Sequence, residues 1–333
     1  MTVAFTICSN NYLSQAKALA DSVKSTDPDI KFYVGLVDDF ENIPAAYRST
    51  FDRETIIEVP VIQIPNLDWM KENYDIVELN TATKPFYFQY LFDLHPEATK
   101  FIFLDPDILV YRSLGEIEDL LDKHSIIFTP HLTEPINDDR HTFQIHEPDI
   151  LNHGIYNLGF VAINTSANAK HFINWWADRL LEQCKHDLCH GLFVDQLWCN
   201  LVPGFYDDVL ISRHLGYNMA YWNLQERTLS IKDGTYMVND RDPLLFFHFS
   251  TFNPAIEDNI AAKQNRYKLS DRPDLIPLYK DYEQKVRKNH YEELKNVNCV
   301  YGRRPKPVKR YKRVRSAATK PLKWIVRIIE EVV

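Results

Sequence analysis

Asp105 and Asp107, which are separated by one residue, have the spacing in this sequence that is most typical of a site for a metal ion. They follow the apolar run 101–104 and precede a second apolar run, 108–111. Both carboxylates are therefore predicted to lie just past the end of a buried strand. Carboxylate oxygens suit Mg²⁺ or Mn²⁺, and such an ion needs only one or two of them when substrate phosphates supply further ligands. The pair therefore predicts a divalent metal that holds a diphosphate. The alternative is a plain type I turn, in which Asp and Pro are common for local reasons.

A histidine late in the chain, His248, lies inside the aromatic run 246–249. An imidazole beside two carboxylates suits Mn²⁺ better than Mg²⁺, so His248 is a candidate third ligand, and the alternative is a hydrogen-bonded core histidine. Two polar clusters, at 9–11 and 157–159, also fall at predicted strand ends. Open α/β sheets bind their ligands at the carboxyl ends of strands, which makes both clusters candidate binding residues.

A β-α-β unit at the N terminus must position the first of these clusters. Residues 3–8 and 32–37 are predicted strands, and apolar residues between 16 and 23 recur at helical spacing until Asp27-Pro28-Asp29 ends the helix. Such a unit implies a parallel sheet with a right-handed crossover. Further strands are predicted within 56–64, 125–129, 156–164 and 244–249, and helices at 83–94, 115–122, 168–183 and 194–201. The predicted fold class is α/β, a Rossmann-type mixed or parallel sheet flanked by helices, with a basic amphipathic C-terminal tail.

Three local details carry predictions of their own. Thr83 is predicted to cap the helix 83–94, and Pro203-Gly204 to end the helix near 194–201. The segment 131–153, rich in His, Asp, Pro and Asn, is predicted to be a long loop without regular structure. It is either a lid that excludes water from the reacting groups or a solvated insertion.

Composition excludes several classes of protein. The chain of 333 residues has 45% hydrophobic residues, enough for a large core, and contains neither a Rossmann dinucleotide fingerprint nor a P-loop. Five scattered cysteines predict reduced thiols in a cytosolic protein. The group Cys184, His186, Cys189 and His190 fits no common zinc spacing. We expect neither a signal peptide nor a membrane span.

The net charge of −8 hides a strong asymmetry between the body and the tail. Residues 303–333 contain eleven Lys or Arg and two Glu, a net +9, which leaves −17 for the first 302 residues. An acidic body argues against nucleic-acid binding. Apolar residues of 322–333 share one helical face, which predicts an interfacial helix that binds an anionic membrane surface, or else a helix that packs on a partner or on itself. The predicted divisions are 1–270 for the catalytic fold, 271–302 for a helical extension and 303–333 for the tail.

Seven segments, taken in their order, spacing and strand context, resemble the nucleotide-sugar glycosyltransferases of the type A fold. The resemblance is greatest to family 8 and to related bacterial surface-polysaccharide enzymes, and it covers about residues 3–270. The segments are FTICSNNYL (5–13), TATKPFYFQYLF (81–92), FIFLDPDILVYRSL (101–114), YNLGFVAINTS (156–166), VDQLWCNLVP (194–203), GYNMAYWNLQER (216–227) and FFHFSTFNP (246–254).

The resemblance implies a metal-dependent enzyme that moves a sugar from a nucleotide-sugar, most often a UDP-sugar, to a glycan or lipid-linked acceptor. It implies a setting at the cytoplasmic face of a bacterial membrane, in surface-polysaccharide assembly. The implied metal ligands for Mn²⁺ or Mg²⁺ are Asp105, Asp107 and His248. The implied donor-binding residues are Thr6, Ser9, Asn10, Asn11, Lys84, Asp105, Asn157 and Gly159, with Asp195 and Gln196 at the reacting centre. Tyr221, Trp222 and Asn223 are acceptor candidates, because an amide and rings together suit hydroxyl recognition; the alternative is a place in the core.

The sequence departs from the family at two places. No lysine stands in 249–254, where the family usually has one near phosphate, so Lys84, Lys263 or backbone amides must supply that contact. The aspartate that the family places near uracil is absent from 9–11. Retention of anomeric configuration is favoured, whereas inversion would need a carboxylate base such as Asp195, Asp207 or Asp208.

Two other functions stay open at the level of sequence. A nucleotidyltransferase that makes nucleotide-sugars also uses acidic metal sites, but its glycine-rich phosphate loop is missing here. A non-catalytic scaffold that binds sugar or membrane is the second alternative. The presence of Asp105, Asp107, His248 and Gln196 argues against a decayed site.

Overall fold

A seven-stranded sheet lies at the centre of the computed structural model, which describes residues 1–137 and 144–302. In chain order, the strands are β1 Thr2–Cys8, β2 Lys31–Leu36, β3 Ile56–Glu58, β4 Lys100–Leu104, β5 Ile108–Val110, β6 Ile126–Phe128, β7 Phe160–Asn164, β8 His186–Asp187, β9 Leu192–Phe193, β10 Val209–Ile211, β11 Met219–Ala220, β12 Leu229–Lys232, β13 Thr235–Val238, β14 Asp242–Pro243 and β15 Phe246–His248. The central sheet has the order β10-β6-β7-β4-β1-β2-β3. Every pair of neighbours is parallel except those that β7 makes with β4 and β6. The predicted mixed, mainly parallel sheet is confirmed.

Helices cover both faces of this sheet. In chain order, they are α1 Leu13–Thr26, α2 Ala45–Arg48, α3 Leu67–Asn73, α4 Ile76–Ala82, α5 Lys84–Leu94, α6 Gly115–Leu121, α7 Glu147–His153, α8 Ala167–Gln183, α9 Val202–Phe205, α10 Ile276–Lys288 and α11 Tyr291–Leu294. Strand side chains alternate between the faces, so Phe101 and Phe103 pack with α5 and α8, whereas Ile102 and Leu104 pack with α1 and α6. Full burial of each such side chain contributes roughly 1.5–3 kcal/mol. The chain therefore has the predicted flanked-sheet architecture.

A small second sheet is built where the chain leaves the central sheet after β4. It has the order β11-β15-β5, in which β11 and β15 are parallel, and the antiparallel pairing of β15 with β5 places His248 opposite Ile108. Helix α10 packs against it, and the rings of Phe249 and Tyr282 stack with their centroids 4.0 Å apart. The predicted division at residue 270 stays a prediction, and the predicted tail 303–333 lies outside the described residues.

The helix 83–94 forms, but Thr83 does not cap it as predicted. Helix α4 precedes it directly and is capped by Asp75, whose carboxylate accepts hydrogen bonds from the first turn. Thr83 therefore has helical backbone angles, and its hydroxyl donates to the Asn80 carbonyl. The capping prediction is wrong because the chain is already helical at this residue.

Two more local predictions are wrong. Residues Glu147–His153 form α7, although 131–153 was expected to have no regular structure; residues 138–143 of that segment lie outside the description. Pro203 does not end a helix but lies in the first turn of α9. A proline is tolerated there because the N–H that it lacks would have no helical partner.

The structure bears on two further features of the chain, the state of its cysteines and the character of its described helices. All five cysteines are free thiols, with Cys8, Cys184 and Cys199 buried. The Cys184 sulfur lies 3.3 Å from the Thr81 hydroxyl, and Cys189 is exposed. Across 1–137 and 144–302, no helix has both the length and the apolar character required to cross a membrane.

Candidate active site

The Asp105-Pro106-Asp107 segment is a tight turn between β4 and β5. The Ile108 amide donates to the Asp105 carbonyl at 3.1 Å, which is the hydrogen bond that closes a turn. The Asp105 amide donates to the Gly159 carbonyl at 2.7 Å, and the Phe249 amide donates to the Asp107 carbonyl at 2.8 Å. The turn is thus tied to β7 on one side and to β15 on the other, and both carboxylates lie at the carboxyl edge of the sheet.

His248 completes a cluster with the two aspartates. Its Nε2 atom lies 2.9 Å from Asp107 Oδ1 and 3.7 Å from Asp105 Oδ2. One ligand atom from each of the three residues lies within 4.8 Å of the others, and no second group of this kind occurs in the part of the chain that the structure describes. The pairing of β5 with β15 brings these distant parts of the chain together.

The electrostatics of this cluster fit a divalent cation. Burial raises the pKa of Asp105 to about 6, although the nearby positive charges of Lys84 and His248 oppose the rise. Burial alone would lower the pKa of His248, but the carboxylates of Asp107 and Asp105 outweigh it and raise that pKa. Two carboxylates, 31% and 14% exposed, therefore lie around one point, and a divalent ion there would neutralise both. Two oxygens and one nitrogen are ligands that Mn²⁺ accepts.

Asn218 contacts the ring nitrogen of His248 that does not face the two aspartates. Its Oδ1 lies 3.2 Å from His248 Nδ1, and its amide nitrogen donates to Asn157 Oδ1 at 2.9 Å and to Thr129 Oγ1 at 3.0 Å. Asn218 is buried and has a positive φ of 51°, which Asn tolerates better than most residues. Its presence within the segment 216–227 was the only sequence signal that pointed to it.

Replacing Asn218 by Ala is expected to destabilise the protein by about 2–3 kcal/mol, because buried polar atoms of His248, Asn157 and Thr129 would lose a partner. Urea denaturation would measure the loss. Asn66→Ala is the control, since Asn66 also has a positive φ, of 59°, but is exposed and makes no capping hydrogen bond with its side chain. Equal losses in the two variants would show that the backbone conformation, not the buried network, causes the effect.

Gly159 allows the chain to pass close to this cluster. A Cβ atom there would lie 2.5 Å from His248 Cε1 and 2.8 Å from Asn157 Oδ1, which are both too close. The Gly159 amide donates to Asn157 Oδ1 at 3.1 Å. The predicted pair Asn157 and Gly159 therefore lies directly beside the candidate metal ligands.

Lys84 and Asp195 form a buried ion pair whose charges act on Asp105 of the cluster. Lys84 Nζ lies 2.6 Å from Asp195 Oδ2 and also donates to the Leu158 carbonyl at 2.8 Å. The two side chains are 3% and 4% exposed. Burial would lower the pKa of Lys84, but Asp195 and then Asp105 outweigh it and raise the pKa. The pair is therefore charged, and each charge largely satisfies the other.

Gln196 is held at both ends of its amide. Its Oε1 accepts from the Leu158 amide at 3.3 Å, and its Nε2 donates to the His153 carbonyl at 2.7 Å. It lines a cavity of about 620 Å³ together with Tyr221 and Trp222. We name this space the sugar-side cavity.

The third acceptor candidate, Asn223, does not line the sugar-side cavity. It is fully buried; its Oδ1 accepts from the Ala220 amide, and its Nδ2 donates to the carbonyls of His131 and Asn218. Residues that sequence reasoning did not assign to a site do line the cavity, among them His131 and Asp149. Burial lowers the pKa of His131 to about 4, so its imidazole is neutral near pH 7.

The predicted donor residues in β1 and in the turn after it separate into two groups. Thr6 and Asn10 are fully buried, and the Asn10 side chain donates to the Asp39 carbonyl at 2.8 Å. Ser9 is also buried, with its hydroxyl 3.2 Å from the Val37 carbonyl. Asn11 instead lines a cavity of about 310 Å³ beside Asp107, together with Tyr12, which sequence reasoning did not single out. We name this space the Asp107-side cavity.

Comparisons with known proteins find sequences similar to this chain. The family model described as glycosyl transferase family 8 matches residues 3–201. The uncharacterized protein YfnF of Bacillus subtilis (strain 168) is 26% identical over 285 residues, which cover 84% of this chain and 91% of that protein. YfnD of the same organism is 22% identical over 284 residues, with coverages of 83% and 86%.

A solved structure shares the fold. It is that of the galactosyltransferase LgtC in complex with donor and acceptor sugar analogues, with a TM-score of 0.50 and 18% sequence identity. The match covers 86% of this chain and 96% of that one. At this identity the likeness concerns the fold alone.

Proposed function

The chain belongs to glycosyltransferase family 8, and on that premise we propose that it transfers a sugar from a nucleotide-sugar donor to a glycan acceptor with a divalent metal ion. The observation that carries the metal-dependent part is the cluster of Asp105, Asp107 and His248. Asp107 lines the Asp107-side cavity, and the centroid of the His248 ring lies 5.2 Å from that of the Trp222 ring, which lines the sugar-side cavity. Family membership favours this function over the nucleotidyltransferase and scaffold alternatives.

Asp105, Asp107 and His248 would hold Mn²⁺ or Mg²⁺ against the donor diphosphate. When bound, such an ion supplies Lewis-acid stabilisation of the charge that develops on the leaving phosphate oxygen. The protein contributes the fixed geometry, because Asn218 orients the His248 ring and the closed turn orients both carboxylates.

Gln196 is proposed to face the anomeric carbon of the donor sugar. Its amide is fixed at both ends, so little conformational freedom is lost when the sugar binds. Asn157 lies within 3.5 Å of Gln196 and would contact the same sugar. Tyr221 and Trp222, on the same cavity, would bind the acceptor through ring faces and the Tyr221 hydroxyl.

We propose that the configuration at the anomeric carbon is retained. Of the three carboxylates considered as a base for inversion, Asp195 is already paired with Lys84. Asp207 and Asp208 precede β10 and lie beside the start of β6, at the opposite edge of the sheet from the cluster. The donor phosphate would then accept the acceptor's proton. An inverted product anomer, detected by NMR, would contradict retention and point to Asp149 in the sugar-side cavity as the base.

The donor is proposed to be a UDP-sugar, and the acceptor a glycan or a lipid-linked glycan of a bacterial surface polysaccharide. A thermal-shift panel of nucleoside diphosphates and nucleotide-sugars, with Mn²⁺, Mg²⁺ or a chelator, tests the donor class. A ligand that binds the folded state raises Tm by mass action, so a metal-dependent rise with UDP or one UDP-sugar is expected. A rise with GDP, CMP or dTDP compounds would change the base, and no rise with any compound would contradict the donor proposal.

Residues 303–333 are proposed to attach the enzyme to the inner face of a membrane. We expect the variant that ends at residue 302 to retain donor hydrolysis but to lose binding to anionic liposomes in a sedimentation assay, because each basic residue near such a surface contributes about 1 kcal/mol. Liposomes of neutral lipid with the full chain are the control. Unchanged sedimentation of the shortened protein with anionic liposomes would refute the attachment.

A further inference from the structure

The Asp107-side cavity has one wall that comes from the C-terminal extension. Asn11 and Tyr12, from the turn after β1, line one part of it, and Tyr291, Lys295 and Asn296 line another. Asp107, a candidate metal ligand, also lines it. A donor whose diphosphate reached the metal from this side would therefore lie against residues 291–296.

Several contacts fix this extension onto the carboxyl ends of β1 and β2. The Val300 amide donates to Asp38 Oδ1 at 2.9 Å, and the Cys299 thiol lies 3.4 Å from Asn11 Oδ1. Leu294 is fully buried, in one cluster with Leu13 of α1. The wall of the cavity is thus held by the sheet that carries the candidate metal site.

The charges of the candidate site leave a donor diphosphate without enough positive partners. A divalent ion would be offset by the carboxylates of Asp105 and Asp107, and the charge of Lys84 is offset by Asp195 at 2.6 Å. The diphosphate of a nucleotide-sugar brings about two further negative charges. Among the residues of 1–137 and 144–302 that line the Asp107-side cavity, Lys295 is the one cationic side chain.

We propose that Lys295, from the C-terminal extension, binds the donor diphosphate; this inference rests on the proposed function. Lys295 Nζ now contacts Glu292 at 2.5 Å, and the two side chains are 28% and 41% exposed. Such exposed pairs contribute about 0–1 kcal/mol, so the ammonium can exchange this contact for a phosphate. An ammonium has three N–H donors, of which Glu292 takes one. The extension is then part of the donor site.

Binding measurements on the full chain test this assignment. Isothermal titration in Mn²⁺ would use whichever of UDP, GDP, ADP, CDP and dTDP the unaltered protein binds most tightly, and also the matching nucleoside. We expect Lys295→Gln, which keeps a long side chain, to weaken diphosphate binding about tenfold, with nucleoside binding unchanged. Lys295→Arg should keep most of the affinity. Lys288→Ala, on exposed α10 surface outside both cavities, is the matched control and should bind normally.

Failure of the proposed function and failure of the Lys295 assignment give different results. If the unaltered protein binds none of these diphosphates, the proposed function fails and the assignment of Lys295 fails with it. If the unaltered protein binds one and Lys295→Gln binds it equally well, only the assignment is overturned. A loss in Lys263→Ala instead would transfer the contact to the sugar-side cavity, which Lys263 lines. Thermal melting of each variant confirms that it is folded, and Lys295→Ala serves if Lys295→Gln is not.

Discussion

Replacing Asp105 and Asp107 together by Asn is expected to reduce sugar transfer by about 10³-fold while the protein stays folded. The variant keeps the shape of both side chains but removes the two charges that would hold the metal, whose stabilisation of the leaving group is on the order of several kcal/mol. Because burial already raises the pKa of Asp105 to about 6, a neutral side chain there should not lower stability. Transfer assays, and thermal melting with and without Mn²⁺, measure both effects.

The chain provides a matched control for this experiment. A second Asp-Pro-Asp occurs at 27–29, where Asp27 ends α1 and bonds Ser113, and Asp29 is exposed. Asp27→Asn/Asp29→Asn should retain transfer and the Mn²⁺-dependent rise in Tm. Undiminished transfer in the Asp105/Asp107 variant would instead support a site that works without metal, and the absence of any transfer even in the unaltered protein would revive the scaffold alternative.

These two Asp-Pro-Asp tripeptides show why parts of the site could be predicted from the sequence. Both are turns in the structure, since the Ile30 amide bonds the Asp27 carbonyl just as the Ile108 amide bonds the Asp105 carbonyl. The difference lies in what precedes them. Residues 101–104 are an apolar strand in the middle of the sheet, so the following carboxylates must lie at its carboxyl edge, whereas Asp27 follows an amphipathic helix. Strand context, rather than the tripeptide, carried the prediction.

Other parts of the site depend on tertiary pairing that the sequence does not display. The position of Asn218 against His248 requires β11 to pair with β15 and the backbone of Asn218 to adopt a positive φ. No local pattern encodes either fact. Asn223 likewise lies in a polar and aromatic segment that suggested hydroxyl recognition, yet its amide bonds the protein's own backbone. Hydrogen-bond partners of an isolated Asn cannot be read from its neighbours in sequence.

The sequence singled out Lys84 as a candidate donor-binding residue, but it did not predict which groups surround the side chain. Its place in the segment 81–92 suggested contact with the donor, and that contact stays a prediction. The structure adds an ion pair with Asp195, more than 100 residues away, and a contact 4.3 Å above the Phe103 ring. The Lys84 side chain therefore also contributes to the stability of the fold, which can be measured without any donor.

Replacing Lys84 by Met is expected to destabilise the protein by about 3–5 kcal/mol, which is a large share of the stability of most domains. The change leaves the Asp195 carboxylate buried without a positive partner and removes the donor to the Leu158 carbonyl. Urea denaturation measures the loss from the shift of the midpoint. Lys100→Met is the control, because the partner of Lys100, Asp122, is 62% exposed; its loss should stay near 0–1 kcal/mol.

A double variant distinguishes the structural task of Lys84 from a catalytic one. Lys84→Met/Asp195→Asn removes both charges, so it should recover most of the lost stability, because a buried pair costs far less to remove whole than to break. Transfer should nevertheless stay low, since Asp195 and Gln196 are adjacent and Lys84 anchors the Leu158 backbone that holds Gln196. Recovery of both stability and transfer would show that the ion pair serves only folding. Failure to recover stability would mean that the Lys84 bond to Leu158, rather than charge balance, is what the fold requires.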